Sequence, residues 1–566
     1  MPTLSQSARQ AWSRRKTGGT NCAIAVRATG KKNPIFFAPA ATGDYSYAFA
    51  LAPHIDDDYP IYVLPWQDIG EQHPHTLEEM AYRLTRMLVE VQPSEPYRLA
   101  GYSAGGLLAY AVAQQLLGED KYVSQLLLLD TTLKPQIEDL YQQGTPEQAF
   151  LAVLKADVME RGCEIDDIRA KLSGASLIDL VKIAQRRGLI PENIDPELEA
   201  ADWLRRLAYL NASMKYEPYP LPIAVHQFHA AESHEMPTKG WERLLPNNSL
   251  ITHKVPGNHL SMMLDPQHRQ SLGSKISHAL SLGTNFCKKK FDPLVFMANT
   301  SARETPLLLV PGAGASVTSF IGLLSTLQAE HPVYGLEPRG LDMQHVPHHS
   351  VAAAATINIE AVRNNFTKGS SFHLIGHSYG GLVAFEMALQ LADAGFGVSS
   401  LTLIDTTLED GEGYSPDISD QELQAEFIEA ISIRLGLSVE PRRNGARLSG
   451  RESFLKAMHS HLTSINFLPV RSSAEILRGP LLAFSAACRT RYLPKAKFPG
   501  KLLVALAEIP TKDELPNEHM AAQKAKWDKY AAEAELVVVP GNHFTMLDAP
   551  NINVLASWWQ RNTRDP

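Results

Sequence analysis

Two stretches decide the fold: YRLAGYSAGGLLAYAVAQQLLG at residues 97–118 and SFHLIGHSYGGLVAFEMALQLADAG at residues 371–395. Each opens with a short apolar run, passes through Gly-x-Ser-x-Gly and continues with apolar residues at helical spacing. The apolar run predicts a buried strand, and the segment after it predicts a helix. The sequence therefore predicts that Ser103 and Ser378 stand at sharp strand-to-helix turns.

The similarity of the two stretches is part of a longer internal repeat. Three motifs occur twice in the same order. They are the Gly-x-Ser-x-Gly turn, called the elbow below, an Asp-Thr-Thr after an apolar run, and a Val-Pro-Gly-Asn-His. Their key residues are the pairs Ser103 and Ser378, Asp130 and Asp405, and His259 and His543. The first two pairs are 275 residues apart and the third is 284 residues apart. A period this long excludes a solenoid of short repeats and indicates a tandem duplication with one length difference.

The repeat defines the domains. A chain of 566 residues exceeds one ordinary core. Residues 1–20 read as a polar tail or linker, because they lack the apolar core of a secretory signal. We place the junction between the copies at about residue 287, before a short basic run that we interpret as solvated. The first domain is then 21–287 and the second is 288–566.

Each copy alternates short apolar runs with helical patterns. The runs suit strands buried on both faces of a mainly parallel sheet, and the alternation predicts an α/β fold. They lie at 34–40, 59–67, 97–103, 124–132 and 223–231, and in the second copy at 305–314, 331–338, 371–378, 399–407 and 501–508. Helices are predicted at 76–92, 105–118 and 380–395.

One segment in each copy interrupts this alternation. Residues 134–220 and 409–498 read as mostly helical, with no clear strand. Each lies between the Asp-Thr-Thr motif and the next strand, so we expect it to cover the strand ends as a lid. A helical appendage without a gating role is the alternative.

Composition excludes several classes of protein. Hydrophobic residues make up 44% of the chain and charged residues 20%, which is ordinary for a folded domain. The formal net charge of −8 disfavours nucleic-acid binding, which needs a basic surface. Four cysteines without a Cys-x-x-Cys pair favour neither a disulfide scaffold nor a thiolate zinc site. No apolar run is long enough for a membrane span, and we expect a cytoplasmic, reducing location.

The repeated motifs predict two nucleophilic serine sites. A serine held at a strand-to-helix turn needs a base, and the base needs an orienting acid. We assign Ser103 and Ser378 as nucleophiles, and His259 and His543, each in a Pro-Gly-Asn-His turn, as bases. We treat the other histidines, including His348 and His349, as structural. The chain order Ser, Asp, His is typical of α/β-hydrolases.

The acid has two candidate positions in each copy. Asp130 and Asp405 each end an apolar strand, 27 residues after their serine, where a buried charge needs a partner. Helix capping is their alternative role. Glu232 and Glu508, after the later strand, are the competing acids. Two further aspartates follow the histidine motif and are expected to cap the final helix, Asp265 and Asp548.

An oxyanion hole needs two N–H donors. One comes from the residue after each nucleophile, Ala104 or Tyr379, and the other from the loop after the first central strand, at Ala40 or Gly312. The sequence contains no dinucleotide fingerprint, no P-loop and no zinc spacing.

Each copy resembles the thioesterase domains that end nonribosomal peptide and polyketide assembly lines, which belong to the α/β-hydrolase superfamily. The resemblance rests on the Pro-Ala-Ala-Thr-Gly or Pro-Gly-Ala-Gly loop, the elbow, the Leu-x-Asp-Thr-Thr strand end and the Val-Pro-Gly-Asn-His turn. It covers almost the whole chain, apart from the first twenty or so residues. The pairing of two copies resembles the tandem thioesterases of some assembly lines.

The resemblance implies two tandem α/β-hydrolase domains, each with a mainly parallel sheet and a helical lid insertion. It implies an acyl or peptidyl carrier protein as partner, whose phosphopantetheine arm delivers the acyl substrate as a thioester. The serine would take the acyl chain, and water or an internal nucleophile would release it as an acid or a macrocycle. We expect no cofactor of its own, because Ser-His-Asp chemistry is metal-free.

Other functions stay open at this point. The same triads would serve an editing thioesterase that clears aberrant acyl groups from carriers, or a carboxylester hydrolase or acyltransferase on free small molecules. One copy could instead be a non-catalytic binding domain. The elbows differ, with Tyr102 and Ala104 in one and His377 and Tyr379 in the other, and the lids share little sequence. These differences indicate two non-identical acyl pockets, with divergence without functional meaning as the alternative.

Overall fold

A computed structural model describes the chain from Cys22 to Thr563 with gaps. The described ranges are 22–41, 43–66, 76–133, 145–151, 175–233, 236–245, 249–282, 291–299, 304–327, 331–408, 413–415, 418–437, 450–510 and 516–563. The predicted tail, 1–20, lies outside them. The chain divides into two compact units between Cys287 and Lys288, with residues 117–120 grouped with the second unit. No helix of the described residues is long and apolar enough to cross a membrane.

The first unit contains a seven-stranded sheet in the order β1-β3-β2-β4-β5-β6-β7. The β1–β3 pair is antiparallel and the other neighbours run parallel. The strands are β1 Ile24–Arg27, β2 Ile35–Ala38, β3 Ile61–Val63, β4 Tyr97–Tyr102, β5 Val123–Leu129, β6 Ala224–Ala230 and β7 Leu250–Val255.

The α-helices described in this unit connect the strands. They are α1 Ser46–Leu51, α2 Leu77–Val91, α3 Ala104–Gly118, α4 Leu177–Arg186, α5 Pro196–Lys215, α6 Ser261–Leu264 and α7 Pro266–Ser281. α4 and α5 lie between β5 and β6, inside the predicted lid. The parts of that lid at 134–144 and 152–174 lie outside the described residues.

The second unit repeats the architecture, with the sheet order β16-β15-β12-β11-β9-β10-β8. Again the pair at one edge, β8–β10, is antiparallel. The strands of this sheet are β8 Leu294–Ala298, β9 Leu307–Val310, β10 Val333–Leu336, β11 Ser371–His377, β12 Gly397–Ile404, β15 Phe498–Ile509 and β16 Ala531–Asn542. The helices are α8 Ile321–Leu327, α9 Val351–Asn365, α10 Tyr379–Ala394, α11 Asp420–Leu435, α12 Arg451–Ser464, α13 Arg478–Cys488, α14 Pro516–Trp527 and α15 Ile552–Thr563.

The central strands are buried on both faces because core clusters form on both sides of the sheet. In β9, Leu308 packs into one cluster while Leu307 and Leu309 pack into the other. β5 reads VSQLLLL, and every residue in it is buried. Each fully buried leucine contributes about 1.5–3 kcal/mol. These runs therefore fix strands whose carboxyl ends carry the serine and aspartate motifs.

The sequence analysis missed both edge strands of each sheet, β1 and β7 in the first unit and β8 and β16 in the second. All four are only partly buried. Polar residues interrupt β7 (LITHKV) and β16 (AAEAELVVVPGN), whereas β1 (IAVR) and β8 (LVFMA) are short apolar runs that the sequence analysis did not assign. The prediction of a lid without strands in 409–498 is also corrected. Residues 413–414 (β13) pair with 490–491 (β14), and two-residue strands are too short to leave a periodic signal. Residues 409–412, 416–417 and 438–449 of that lid lie outside the described residues.

Replacement of Gly273 in α7 tests the packing of the first unit. A Cβ there would lie 2.4 Å from the backbone oxygen of His54, which cannot move as a side chain can. We expect Gly273→Ala to lower the free energy of unfolding by about 1–3 kcal/mol, measured by urea denaturation. Ser274→Ala, at the exposed neighbouring position, is the control. Equal stability of the two variants would contradict this close packing.

Candidate active site

Ser103 lies at the elbow between β4 and α3. Its backbone has φ +55°, a left-handed conformation that is unusual for a residue other than glycine. The turn is held by its N–H, which donates to the Leu129 carbonyl at 2.9 Å, and by its carbonyl, which accepts from the Gly106 N–H at 3.1 Å. Ser378 has the same φ of +55° and the matching bonds to Ile404 and Gly381. The two predicted elbows are therefore present.

A glycine in each helix lets the elbow approach the neighbouring strand end. A Cβ on Gly106 would lie 2.0 Å from Thr131 Oγ1, and a Cβ on Gly381 would lie 1.9 Å from Thr406 Oγ1. Each threonine directly follows one of the predicted acids, Asp130 or Asp405. The close contact therefore sets the spacing between the serine and the aspartate.

In copy one, the three predicted residues form a continuous hydrogen-bonded chain. His259 Nε2 lies 3.1 Å from Ser103 Oγ, and its Nδ1 lies 2.6 Å from Asp130 Oδ2. The other carboxylate oxygen, Oδ1, accepts the N–H of Ala230 at 3.0 Å. A serine, an imidazole and a buried carboxylate in this order can transfer a proton away from the serine hydroxyl.

The carboxylate of copy one is ionised despite its burial. Burial by itself would raise the pKa of Asp130, but other interactions outweigh it. Hydrogen bonds from His259 and the Ala230 N–H, together with the charges of His259 and Lys239, lower the pKa below its usual value. A carboxylate that stays ionised can orient His259 and stabilise its protonated form.

Copy two repeats the hydrogen bond between the histidine and the aspartate. His543 Nδ1 lies 2.7 Å from Asp405 Oδ2, and Asp405 Oδ1 accepts the Ala507 N–H at 2.9 Å. Burial would raise the pKa of Asp405, but the hydrogen bond and charge of His543 lower it. Among the described residues, no hydrogen bond joins His543 to the hydroxyl of Ser378. Such bonds are often long without substrate and shorten when it binds.

The residue before each serine supports the histidine, a contact that the sequence analysis did not find. The Tyr102 hydroxyl donates to the His259 carbonyl at 2.5 Å, and the two rings stack at 4.9 Å. In copy two, His377 Nε2 donates to the His543 carbonyl at 3.0 Å. Burial first, and then the charge of His543, lowers the pKa of His377 to about 3, so it is neutral. A polar ring at this position in both elbows was the available signal.

A tryptophan in each copy fixes the loop after the aspartate, and this contact was also missed. The indole N–H of Trp241 donates to the Thr131 carbonyl at 2.9 Å, and that of Trp527 to the Thr406 carbonyl at 3.1 Å. Both rings are fully buried. They mark equivalent positions in the two copies, although little of the surrounding sequence is shared.

Three of the four predicted oxyanion donors lie beside the serines, and the fourth, the Ala40 N–H, donates to another group. Ala104 and Tyr379 are the first residues of α3 and α10, where helical N–H groups have no partner within the helix. Gly312 lies against the nucleophile, because a Cβ on it would be 3.2 Å from Ser378 Cβ. The N–H of Ala40, by contrast, donates to the Asp44 carbonyl at 2.9 Å, so in this structure it already has an acceptor.

The contacts of each candidate acid and each candidate helix cap show which role it has in the structure. The histidines contact Asp130 and Asp405, while the N–H of Glu232 donates to the Gly257 carbonyl and Glu508 lies on β15. Asp265 caps α7 as predicted, accepting from the N–H groups of residues 267 and 268. Asp548 does not repeat that role, because its carboxylate pairs with Arg434.

A pocket extends from the oxyanion loop of copy two. It encloses about 520 Å³ of empty space including its open mouth, and it is lined by Gly312, Tyr379, Ala354, Asn358 and Val383 among others. His348, which the sequence analysis treated as structural, also lines it. Its walls are mainly apolar, which suits an acyl chain rather than an ion.

Copy one carries larger side chains at the matching positions. α2 and α9 have the same length and equivalent N-caps, Thr76 and Ser350, so their residues correspond one to one. Ala354 and Asn358 then correspond to Met80 and Leu84, which are buried. Position by position from the serine, Val383 corresponds to Leu108. The two copies therefore differ in the space beside the reaction centre.

A nucleophile elbow, an aspartate and a histidine that meet at the carboxyl edge of a mainly parallel sheet define an α/β-hydrolase, here present twice in one chain. The described residues contain no cluster of His, Cys, Asp or Glu that could hold a metal ion. The chain matches the family described as Thioesterase domain twice, at residues 33–280 and 305–557. It therefore belongs to the thioesterase domain family, which is a family of hydrolases.

The similar curated proteins are much longer. The chain is 24% identical over 254 residues to the non-reducing polyketide synthase ntnG of Nectria sp, covering 44% of this chain and 12% of that protein. It is 36% identical over 134 residues to a dimodular nonribosomal peptide synthase of Bacillus subtilis (strain 168), covering 23% of this chain and 6% of that protein. The aligned part is thus a small share of each relative.

Solved structures of similar domains match about half of the chain. The Vlm2 thioesterase domain is 22% identical, covers 48% of this chain and 98% of that domain, and has a TM-score of 0.37. The type II thioesterase BorB from the borrelidin biosynthetic cluster is 18% identical, covers 49% of this chain and 100% of that protein, and has a TM-score of 0.36.

Replacement of His377 by tyrosine, the residue that copy one has at this position (Tyr102), tests whether His377 is neutral in the folded protein. The folded pKa of His377 is about 3, against an ordinary value of 6.5, so between these values the unfolded chain binds a proton that the folded chain does not. His377 therefore lowers the free energy of unfolding as the pH falls below about 6.5, by up to about 1.4 kcal/mol per pH unit. His377→Tyr keeps a donor for the His543 carbonyl without this proton uptake.

We expect the variant to gain stability relative to the wild type between about pH 7 and about pH 5, measured by urea denaturation at each pH. Exposed His278→Gln is the control and should leave the pH dependence unchanged. Parallel pH profiles of His377→Tyr and wild type would show that His377 takes up a proton in the folded protein.

Proposed function

We propose that the chain is a tandem serine thioesterase that releases peptidyl or polyketide acyl chains from a carrier protein. The observation that carries the proposal is the continuous chain Ser103–His259–Asp130, with a serine-to-histidine distance of 3.1 Å and a histidine-to-aspartate distance of 2.6 Å. The proposal draws further support from the relatives, which are named as polyketide and nonribosomal peptide synthases.

The residues of copy one have defined roles in the proposed reaction. His259 Nε2 takes the proton of Ser103 as Oγ attacks the thioester carbonyl carbon. The N–H of Ala104 stabilises the oxyanion, the C–S bond breaks, and the departing phosphopantetheine sulfur receives the proton from His259. A water, deprotonated by the same imidazole, then attacks the ester and restores Ser103. An internal hydroxyl or amine of the acyl chain in place of that water gives a macrocycle.

Copy two has the same parts with a different reaction space. Ser378, His543 and Asp405 correspond to the three residues of copy one, and Gly312 and Tyr379 are the oxyanion candidates. Its apolar pocket opens beside both of these. We propose that this pocket receives the first groups of the acyl chain, so that the two copies accept different acyl groups.

Single replacement of each nucleophile tests the proposed reaction. The wild-type chain, Ser103→Ala and Ser378→Ala are each mixed with a carrier-bound acyl thioester, and mass spectrometry follows the acyl-enzyme and the released product. We expect each replacement to abolish acylation at its own site, with loss of at least about 1000-fold in release by that copy. Ser46→Ala, at the start of a helix outside the triads, is the control.

The outcomes separate the alternatives. Loss of release with one replacement only would assign release to that copy and an auxiliary role to the other. Preference for short acyl groups on the carrier would indicate editing, and equal turnover of free esters would indicate a carboxylester hydrolase. Unchanged acylation in both variants would refute the thioesterase proposal.

Insertion of the methionine of copy one into copy two tests the pocket. In a Ser103→Ala background, Ala354→Met places three more heavy atoms in the pocket that Gly312 and Tyr379 line. We expect kcat/KM for acyl chains of six or more carbons to fall about 10- to 100-fold, because the acyl group loses its contacts, while acetyl thioester turnover changes little. Ala352→Met, exposed on the same helix, is the control. An equal loss for acetyl and long chains would place the acyl group elsewhere.

A further inference from the structure

Lys239 lies beside Asp130, the acid of copy one, although it is not a member of the triad. Its Nζ is 3.1 Å from Asp130 Oδ1, whereas His259 uses the other oxygen, Oδ2. The Lys239 side chain is 5% exposed and that of Asp130 is 1% exposed. Burial of an ammonium group is costly unless it is paired, so this carboxylate is the counter-charge that keeps Lys239 in place.

The backbone around Lys239 ties it to the loop that carries the acid. The Lys239 carbonyl accepts the N–H of Leu133 at 3.0 Å, and its N–H donates to Met236 at 2.9 Å. Its Nζ also lies 3.3 Å from the Ser233 hydroxyl. Two residues later, Trp241 donates to the Thr131 carbonyl. The lysine is thus positioned by the same turn that holds the strand end.

Copy two offers an internal comparison without this cation. Trp527 makes the contact that Trp241 makes, and the residue two positions before it is Ala525, which is exposed. Asp405 accepts the Ala507 N–H just as Asp130 accepts that of Ala230. The ring nearest the acid–base pair in copy two is the neutral His377. Within the described parts of the chain, Asp130 is therefore paired with a buried lysine and Asp405 is not.

We propose that Lys239 is a positioning residue that holds the Asp130 carboxylate and offsets part of its charge, so that His259 releases its proton at a lower pH. This inference rests on the proposed serine mechanism. A carboxylate shared with a cation stabilises a protonated imidazole less than an unshared one does. Copy one should then remain active in more acidic solution than it would without the lysine.

The other groups near the pair do not supply the same charge. Tyr102 stacks on His259, and burial raises the pKa of its hydroxyl, so it is neutral. Burial lowers the pKa of His229, the charge of Asp130 raises it, and the charges of Lys254 and Lys239 lower it. The charges of Asp130 and Asp44 also raise the pKa of Tyr102.

The test uses the full chain with Ser378→Ala, so that only copy one turns over. Lys239→Met removes the charge at similar length, and Lys239→Arg retains it. We expect Lys239→Met to move the acid limb of the kcat/KM profile for an acyl thioester to higher pH by about 0.5–1 unit. At about pH 6 this is a loss of about 3- to 10-fold, with little change at about pH 8. Lys239→Arg should keep the wild-type midpoint.

Two controls separate a charge effect from damage to the fold. Lys182→Met removes an exposed lysine of α4, and Lys526→Met removes a lysine that contacts the Leu408 carbonyl in copy two. Neither should move the acid limb of copy one. A uniform loss at every pH in Lys239→Met, with an unchanged midpoint, would overturn the proposal and leave Lys239 a purely structural role.

A second measurement does not depend on turnover. The imidazole of His259 is titrated by NMR in the wild type and both lysine variants, and its signal is identified by its loss in His259→Gln. A higher titration midpoint in Lys239→Met, with the wild-type midpoint kept in Lys239→Arg, supports the proposal even if no thioester is cleaved. An equal midpoint in all three proteins overturns it, whereas absent turnover with a shifted midpoint refutes only the thioesterase proposal.

Discussion

Both sites depend on how closely the elbow helix approaches the strand end that carries the acid. Gly106 and Gly381 leave no room for a Cβ against Thr131 and Thr406, so any larger residue would push the helix from the strand. Parallel pairing sets Tyr102 beside Leu129 and His377 beside Ile404, one residue before the serine and the aspartate. The two side chains that the histidine must join therefore start from adjacent strand ends, and the histidine loop has only to reach between them.

This constraint explains which parts were predictable. The inner strands, the elbows and the serine and histidine positions follow from continuous apolar runs and from motifs repeated at a constant spacing, whereas the choice between Asp130 and Glu232 needed the contact with His259. Signals of this kind are local in sequence. The edge strands were missed for two reasons: partial burial allows polar residues in β7 and β16, and the short apolar runs of β1 and β8 belong to no repeated motif.

Most of the contacts that tune the sites were not predictable because they join residues far apart in sequence. Lys239 and Asp130 form an ion pair although they are 109 positions apart, and the sequence around either residue gives no sign of the other. The hydrogen bond of Ala40 to Asp44 belongs to the conformation of one loop, which a donor assignment by position cannot foresee. The role of Tyr102 and His377 required the histidine loop to be seen in place, since both bond to its backbone.

The duplication makes each copy a reference for the other. Conserved geometry, such as the tryptophan that bonds to the residue after the acid, marks what the fold needs in order to hold a triad. Differences at fixed geometry carry other information. Met80 against Ala354 alters the space for the acyl group, while Lys239 against Ala525 alters the charge beside the acid, and these positions lie on different elements. In the proposed reaction, the size of the acyl group and the strength of the base can therefore change independently in each copy, without disturbing the contact between the elbow helix and the strand end.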